Sequence, residues 1–562
     1  MIDRIIAHLE NVEWVTAVHE RESSLVVATN TGAPPLRVEQ LDKLPAELPL
    51  ILIDSSDDLR PETPHVSWDG QVCVTDRAVD SLDLDSAERV VEWYLHDAVQ
   101  VITQTYADPA AEFYSEFEGY WNAQKTKPLI ALGMLEEEWE VWEGLCSGGA
   151  DALPTLAFRD ERELRRSPGV ASSQRGSQQR VKVHALRMER PILAPLPRQE
   201  LTGADVLRLL EGLRPEVLAE FKRHISAQAH RRRKSRRALN LLLYLPKRER
   251  LMGGAIALHV PQGYLLTAGV LRSCKTKPKP LRVLRHSPDY LHLRSGLRVD
   301  WSTTSVAVVG CGAVGGYLAE TLAQTGFTSL TLIDSDVLEP DNILRHVLPE
   351  TYLLKNKAAA LKEFLDLSFP YLNVEAVPKD LGIGSLDSLA DFDVVVDATG
   401  VTGISRSIVR ARPAKHVLSV WLEPGGAGGH AVLSGDGRGC LECFYHLDGE
   451  PRLENRYRFV ASGSEVAINL TGCAGAFFPF LGADAKRTAL IGSDLLSRSM
   501  LSERTLAGGS RYAFWRGDAH ELQMRGVETT DWFERCGQAW EEVDGMLLVG
   551  CPVCRRTPGD GL

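Results

Sequence analysis

The chain has 562 residues, 44% of them hydrophobic and 25% charged, a balance that excludes disordered and fibrous classes and a length that predicts three or four domains. Its 63 basic and 75 acidic residues leave a net charge of −12, which argues against general nucleic-acid affinity. No apolar run reaches the roughly 18 residues of a membrane span, and the opening MIDRIIAHLENVEWV lacks the basic start and apolar core of a signal peptide, so no membrane association and a cytoplasmic location are expected. Ten cysteines, several in CxxC pairs, point to metal and thiol chemistry in a reducing compartment.

Residues 1–125 predict an α+β domain, strands first and helices after. Met1–Glu10 has the spacing of a short amphipathic helix. Trp14–His19 and Ser23–Asn30 alternate apolar with polar residues as a hairpin does, and Leu48–Asp54 predicts a third, more buried strand. TPHVSWDGQVCV (63–74) follows, then a helix-like segment over Ser86–Tyr106 and the short EFYSEFEGYW. Cys73 by itself is a small buried hydrophobe in most such settings. The order of strands, Pro-containing flap, Cys and helices resembles a ubiquitin-conjugating enzyme, whose Cys carries a thioester. That family has His-Pro-Asn ahead of the Cys; Thr63-Pro64-His65 stands there instead, which puts His65 at the position of the oxyanion-stabilising Asn. The resemblance implies Cys73 as nucleophile, with a scaffold-only domain as the alternative.

Residues 126–285 predict a small strand-containing adapter. FRDERELRRSPGVASSQRGSQQRV (158–181) is polar and aperiodic and predicts an exposed loop. Val206–Ile225 has helical spacing, HRRRKSRR (230–237) suits a solvated basic face better than a nucleic-acid patch, and strands are expected in Ala238–Tyr244 and Ala255–Leu271.

Residues 286–562 carry the clearest pattern. The valine-rich run Val306–Val309 ends in Gly310-Cys311-Gly312-Ala313-Val314-Gly315; a helix-like stretch follows, and a second strand over Ser329–Ile333 stops at Asp334, 24 residues after Gly310. Strand, glycine turn, helix, strand and acid make a nucleotide-binding βαβ unit, in which Asp334 is placed to bond a ribose hydroxyl. A nicotinamide-dependent oxidoreductase shows the same fingerprint. Asn342, Arg345 and Lys357 then supply polar and cationic groups for which hydride transfer has no use, but which grip a triphosphate and an attacking carboxylate.

GCGAVGG, LIDSDVLEPDNILRH and KNKAAAL together resemble the ThiF/MoeB and ubiquitin-activating superfamily, which adenylates the C-terminal glycine of ubiquitin-like proteins. The resemblance implies a Rossmann-like domain binding ATP at Gly310, Gly312, Gly315 and Asp334, with Asn342, Arg345 and Lys357 on the phosphates. It also implies a homodimer and an arginine just before the first strand, for which Arg294 is the nearest match. The family's second Asp for Mg²⁺ after DVVVDATG (393–400) is missing: Gly400 stands there, leaving Asp397 or a water-mediated arrangement for the metal.

Two knuckles, Cys440/Cys443 and Cys551/Cys554, lie 108 residues apart counted from Cys443 to Cys551. Four thiolates in CxxC pairs suit a closed tetrahedral zinc site of structural type. Cys473, among small neighbours in NLTGCAGAFFPF, falls where activating enzymes of this family carry a mobile crossover loop and some place their cysteine, with Cys536 as the fallback; Cys311 is a packing residue of the turn.

The whole chain resembles a bacterial fusion of ubiquitin-conjugating and ubiquitin-activating types. The resemblance implies that Arg345 and Lys357 stabilise adenylation of a partner's C-terminal glycine, and that the acyl group passes from Cys473 to Cys73 to an acceptor amine. The domain order resembles CBASS antiphage systems, whose modified partner is a cGAS-like nucleotidyltransferase. A bacterial ubiquitin-like protein outside such a system, or a sulfur-carrier activator with an inert N-terminal domain, is the alternative.

Overall fold

A computed structural model describes residues 1–44, 47–55, 64–66, 70–74, 86–107, 118–119, 121, 127–147, 152–173, 178–190, 201–231, 238–246, 255–260, 277–297, 301–434, 439–447, 450–464, 467–469, 476–504, 512–537, 541–542, 551 and 553. Two compact units divide the chain: Met1–Leu164 with Gln174–Tyr290, and Arg165–Ser173 with Leu291–Leu562. Among the described residues, no helix is long and apolar enough to cross a membrane.

The first unit begins with the helix Ile2–Leu9 and an antiparallel sheet in the order β1 (Val15–Arg21), β2 (Ser24–Thr29), β3 (Leu36–Glu39), β4 (Leu50–Ile53). β3 was not expected from the sequence; only four residues long, it is too short to show a periodicity. Leu25 and Val27 of β2, Leu36 and Val38 of β3 and Ile51 of β4 alternate onto one face. There they meet Ile5 and Leu9 of the first helix and Val91, Leu95, Ala98 and Ile102 of the helix Ala87–Ala107. Each buried Val, Leu or Ile contributes roughly 1.5–3 kcal/mol, so the helix and sheet are held by side-chain packing rather than by propensity.

The strands expected in the middle of the chain belong to a barrel. Seven strands close into a barrel: β5 (Pro128–Leu132), β6 (Trp139–Ser147), β7 (Leu156–Phe158), β8 (Gln178–Arg187), β9 (Leu239–Tyr244), β10 (Ala255–Val260) and β11 (Lys279–His286), in the order β10-β11-β5-β7-β6-β8-β9. Closure removes both sheet edges. The helical pattern over 206–225 is broken into Gly203–Leu210 and Pro215–Arg231, because a proline ring cannot continue a helix across its own first turn.

The segment 158–181 is not a plain exposed loop. It holds the short helices Glu161–Arg165 and Pro168–Ser173 and the start of β8. Residues 165–173 group with the second unit: the Tyr371 N–H donates to the Arg166 carbonyl at 2.7 Å, and a Cβ on Gly169 would sit 2.5 Å from the Leu367 carbonyl oxygen. Backbone contact of this kind leaves no hydrophobic period to read.

The second unit is a mixed sheet in the order β14-β13-β12-β15-β16-β17-β22-β23. β12 (Ser305–Val309), β13 (Ser329–Ile333), β14 (Asn373–Val377), β15 (Val394–Asp397) and β16 (His416–Leu422) run parallel; β17 (Gly428–Ser434), β22 (Tyr512–Arg516) and β23 (Glu541–Glu542) continue antiparallel. Two small hairpins, β18 (His446–Leu447) with β19 (Glu450–Pro451) and β20 (Ile468–Asn469) with β21 (Ala476–Phe477), lie apart from it.

β12 is apolar on both faces because both are covered. Val306 and Val308 face a core shared with the helices Ala313–Gln324, Lys357–Ser368 and Gly482–Arg504, whereas Ala307 and Val309 face one that contains Cys440, Cys443 and Cys551. β12 pairs β13 on one side and β15 on the other, so the chain order reverses at its carboxyl end. That is where ligands of open α/β sheets bind.

Candidate functional site

β12 runs directly into the glycine turn. Gly310 has φ +87°, and a Cβ there would press within 2.9 Å of the Ala398 carbonyl; a Cβ on Gly315 would lie 1.8 Å from the Gly310 oxygen. Neither position accepts a side chain without the turn moving. Gly312 is different. A Cβ there would meet nothing within 4 Å, so its missing side chain leaves open space at the start of the helix Ala313–Gln324.

Asp334, at the end of β13, reaches back across this turn. Its Oδ2 accepts the Cys311 N–H at 2.6 Å and its Oδ1 accepts the Asp336 N–H at 2.7 Å. His346 holds the other side of the same residue, with Nε2 2.8 Å from the Cys311 carbonyl. Cys311 is buried and its thiol is pushed well up by burial, which makes it packing rather than chemistry.

Lys357 opens the helix Lys357–Ser368. Asn356 caps that helix through Oδ1 to the Ala359 N–H, while its Nδ2 donates to the Asp334 and Asp336 carbonyls at 2.9 and 3.1 Å. The cap therefore ties Lys357 to the Asp334 turn. Its Nζ rests 3.0 Å from Asp336 Oδ2. Sequence reasoning passed over Asn356, although an Asn before KAAAL is an N-cap signal. His346 carried no such signal.

Arg345 ends the 3₁₀ helix Pro340–Arg345, its guanidinium 4.8 Å from the Phe480 ring centroid, and among the described residues it has no ion pair. Asn342 Oδ1 accepts the Glu339 N–H at 3.1 Å, which fixes the amide and leaves its Nδ2 as the donor for a ligand. Arg294 is exposed near the end of the helix Pro288–Ser295. Asp397 sits beside Val309 in register and is buried, with Thr399 N–H and Oγ1 bonded to its Oδ1 at 3.2 and 2.8 Å. Burial raises its carboxyl, with hydrogen bonds from Ser405 and Thr399 opposing. Gly400 follows at φ +67°.

Cys440, Cys443 and Cys551 are buried with their sulfurs within 4.8 Å of one another, Cys440 and Cys551 at 3.6 Å. That separation is far too long for a disulfide, and close to the roughly 3.8 Å between ligands of a tetrahedron with 2.3 Å Zn–S bonds. The three thiols fit zinc; Cys554 lies outside the described residues. Glu442, inside the first knuckle, is fully buried and bonds Arg406 Nε at 2.6 Å and Arg410 at 2.8 Å from the helix Thr402–Ala411. Burial would raise its carboxyl, but the two arginines prevail and hold it below its ordinary value.

Cys73 is exposed and in no disulfide. Its N–H donates to the His65 carbonyl at 2.7 Å; His65 has φ +60°, and Val66 bridges Val72 while Gln71 bridges Leu52 beside β4. His65 and Cys73 are thus neighbours through backbone. Thr63 and Cys473 lie outside the described residues, and Cys536 is buried with its thiol donating to the Phe533 carbonyl at 3.3 Å.

Residues 13–130 match the prokaryotic E2 family B and residues 290–476 match the ThiF family. The chain is 31% identical over 229 residues to the ATP-dependent ubiquitin transferase-like protein Cap2 of Pseudomonas aeruginosa, covering 39% of this chain and 40% of that protein. It is 32% identical over 203 residues to the uncharacterized protein y4qC of Sinorhizobium fredii, covering 33% and 35% respectively. It is 29% identical over 314 residues to the adenylyltransferase and sulfurtransferase MOCS3 of Mus musculus, covering 51% and 65%. The matches to Cap2 and y4qC thus span about two fifths or less of those proteins' length. The chain thus joins a region that matches the prokaryotic E2 family B to one that matches the ThiF family, and over about two fifths of its length it is similar to Cap2 proteins.

Proposed function

We propose that this protein adenylates the C-terminal glycine of a partner protein and passes the resulting acyl group through two thioesters to an amine. The observation that carries the reading is the open glycine turn at the end of β12, fixed by Asp334 and followed by Arg345 and Lys357 on segments bonded to that turn.

The partner's carboxylate oxygen attacks the α-phosphorus of ATP, and the bond to pyrophosphate breaks. Turn N–H groups and the helix N-terminus favour the phosphates' negative charge, Asp334 meets the ribose hydroxyls, and Arg345 and Lys357 offset the charge that builds on the phosphates. Asn342 Nδ2 and Arg294, the latter contributed from a homodimer partner, complete the nucleotide contacts. Mg²⁺ accompanies ATP as a charge-neutralising ion. Asp397 is the candidate to hold it, after release of its Thr399 bonds.

The Cys473 thiolate then attacks the acyl carbon and AMP leaves. The Cys73 thiolate displaces Cys473, and an acceptor amine, lysine by preference, displaces Cys73 to leave an amide, with His65 donating a hydrogen bond beside the reacting carbonyl. Cys440, Cys443, Cys551 and Cys554 hold a structural zinc; replacing Cys551 with Ser should remove it, read by metal content. The partner is a cGAS-like nucleotidyltransferase or a bacterial ubiquitin-like protein.

The test is intact mass spectrometry and a non-reducing gel after incubation with ATP–Mg²⁺ and such a partner. A thiol-sensitive adduct should stop at Cys473 in Cys73→Ala and vanish in Cys473→Ala. The similarity to MOCS3 favours a second reading, a sulfur-carrier adenylyltransferase in which Cys73 is inert; an adduct indifferent to Cys73→Ala would select it.

A further inference from the structure

His346 contributes to the turn in a way that packing alone does not require. The residue is 6% exposed and its ring bonds two backbone segments: Nε2 lies 2.8 Å from the Cys311 carbonyl, and Nδ1 lies 3.1 Å from the Leu348 N–H. A backbone N–H only donates and a carbonyl only accepts, so Nδ1 is the acceptor and Nε2 carries the proton. Burial holds its pKa below the ordinary imidazole value, which keeps the ring in that neutral form.

The bonded carbonyl belongs to the middle residue of Gly310-Cys311-Gly312, and the same residue's N–H, in the preceding peptide, donates to Asp334 Oδ2 at 2.6 Å. A Cβ on Gly316 would lie 2.9 Å from Val347 Cγ1 and 3.3 Å from the imidazole Cε1, so the glycine there lets the helix close onto both residues. Tyr317 Oη donates to the His346 carbonyl at 3.4 Å. The backbone of His346 is therefore bonded as well as its ring, and Arg345 is the residue immediately before it.

We propose that His346 is a positioning residue for the nucleotide-phosphate site, a single imidazole that sets both the Cys311 peptide of the glycine turn and the backbone carrying Arg345. The proposal rests on the adenylation reading above. A histidine that merely fills the core would need volume and one hydrogen bond. This one spends both nitrogens on backbone from two segments that must agree in position for phosphate and guanidinium to meet, and misplacement by about 1 Å costs on the order of 100-fold.

The test measures ATP affinity by calorimetric titration, with ATP–Mg²⁺ as the probe, on the full chain and on His346→Leu, His346→Gln, Arg345→Ala and the Arg345→Ala/His346→Leu double variant, with a thermal melt of each. His346→Leu should weaken ATP at least tenfold. His346→Gln keeps a donor near Nε2 and should stay within about threefold of wild type. The double variant should be no more than about threefold weaker than the worse single variant, since both act through one arrangement. A structural role alone would lower the melting temperature of His346→Leu and leave ATP affinity unmoved, and that result overturns the proposal. Full additivity in the double variant overturns it as well. If His346→Leu does not fold, His346→Asn decides: its shorter amide does not reach Cys311, so unchanged affinity overturns the proposal and tenfold weakening supports it. Wild-type protein that fails to bind ATP would instead overturn the adenylation reading itself.

Discussion

The glycine turn and the Cys73 segment both carry candidate chemistry, yet they are built in opposite ways. The turn is clasped from three directions, by Asp334, by His346 and by the steric fit of Gly315 against Gly310, and its central residue is fully buried. Cys73 is exposed, and the bond described at its own backbone N–H runs to His65. A site that must hold a polyphosphate gains from rigidity before the ligand arrives. A thiol that must meet first one acyl donor and then an amine has to be open to both. The difference in construction matches the difference in proposed task.

The largest effect should come from Gly315→Ala. Its new methyl would lie 1.8 Å from the Gly310 oxygen, against rigid backbone, so the turn itself must open. ATP binding should fall below detection, more than about 100-fold, with several kcal/mol of lost stability. Cys73→Ala should change neither ATP affinity nor melting temperature beyond about 1 °C. If the two variants behave alike, the contrast between a clasped turn and an open thiol is wrong.

Next in size is Glu442→Gln. The carboxylate is fully buried and shared by Arg406 and Arg410, so removing its charge strands two guanidinium groups that are 23% and 47% exposed. Breaking a fully buried pair costs about 3–5 kcal/mol; with solvent reaching both arginines, roughly 2–3 kcal/mol is expected, read from urea unfolding. The loss should fall on the cysteine lobe. A metal content that drops together with stability would show that the clamp positions the knuckle.

How much of this was legible differs between the two regions for the same physical reason. The turn was readable because its residue types are forced: glycine at positive φ, an acid at a strand end, a valine run buried on both faces. Asp334 and the three described zinc-type cysteines announce themselves by chemistry and spacing. His346 does not, since its bonds go to backbone carbonyl and N–H groups that any sequence supplies. The barrel was read only as scattered strands because closure depends on pairings such as β5 with β11, more than 140 residues apart in sequence. The helices inside 158–181 were missed because that segment is fixed by backbone contacts with Leu367 and Tyr371.

Acid should also act on the barrel, through a buried imidazole that belongs to neither site. His184 of β8 is buried against Phe221 and His224, and burial, with the nearby His224 and Lys182, lowers its pKa from 6.5 to about 3. Between those values the unfolded chain binds the proton and the folded chain does not. The stability held by the neutral ring is therefore complete above about pH 6.5 and is lost as pH falls toward 3, by about 2 kcal/mol at pH 5. Urea midpoints measured between pH 7.5 and 5 should fall more steeply for wild type than for His184→Leu. Equal slopes would remove His184 as the cause.

The smallest expected effect concerns the ion pair between Lys357 and Asp336. Asp336 is 68% exposed while Lys357 is 12% exposed, so solvent screens the partner and the pair contributes about 0–1 kcal/mol to folding. Asp336→Asn should leave the melting temperature within about 1 °C. It nevertheless removes the anion on which Lys357 Nζ rests, while Asn356 and the Lys357 N–H bond to the Asp336 carbonyl still hold the backbone. If Lys357 must leave Asp336 to reach phosphate, ATP affinity should rise two- to fivefold, because the ligand no longer competes with a carboxylate. If Lys357 stays on Asp336 and acts only by its field, affinity should also rise, since a negative charge near the phosphates is lost, but the gain should then shrink with added salt as screening does. Persistence of the gain at 0.5 M salt therefore identifies a lysine that moves, and a site that is rigid in its backbone but not in every side chain.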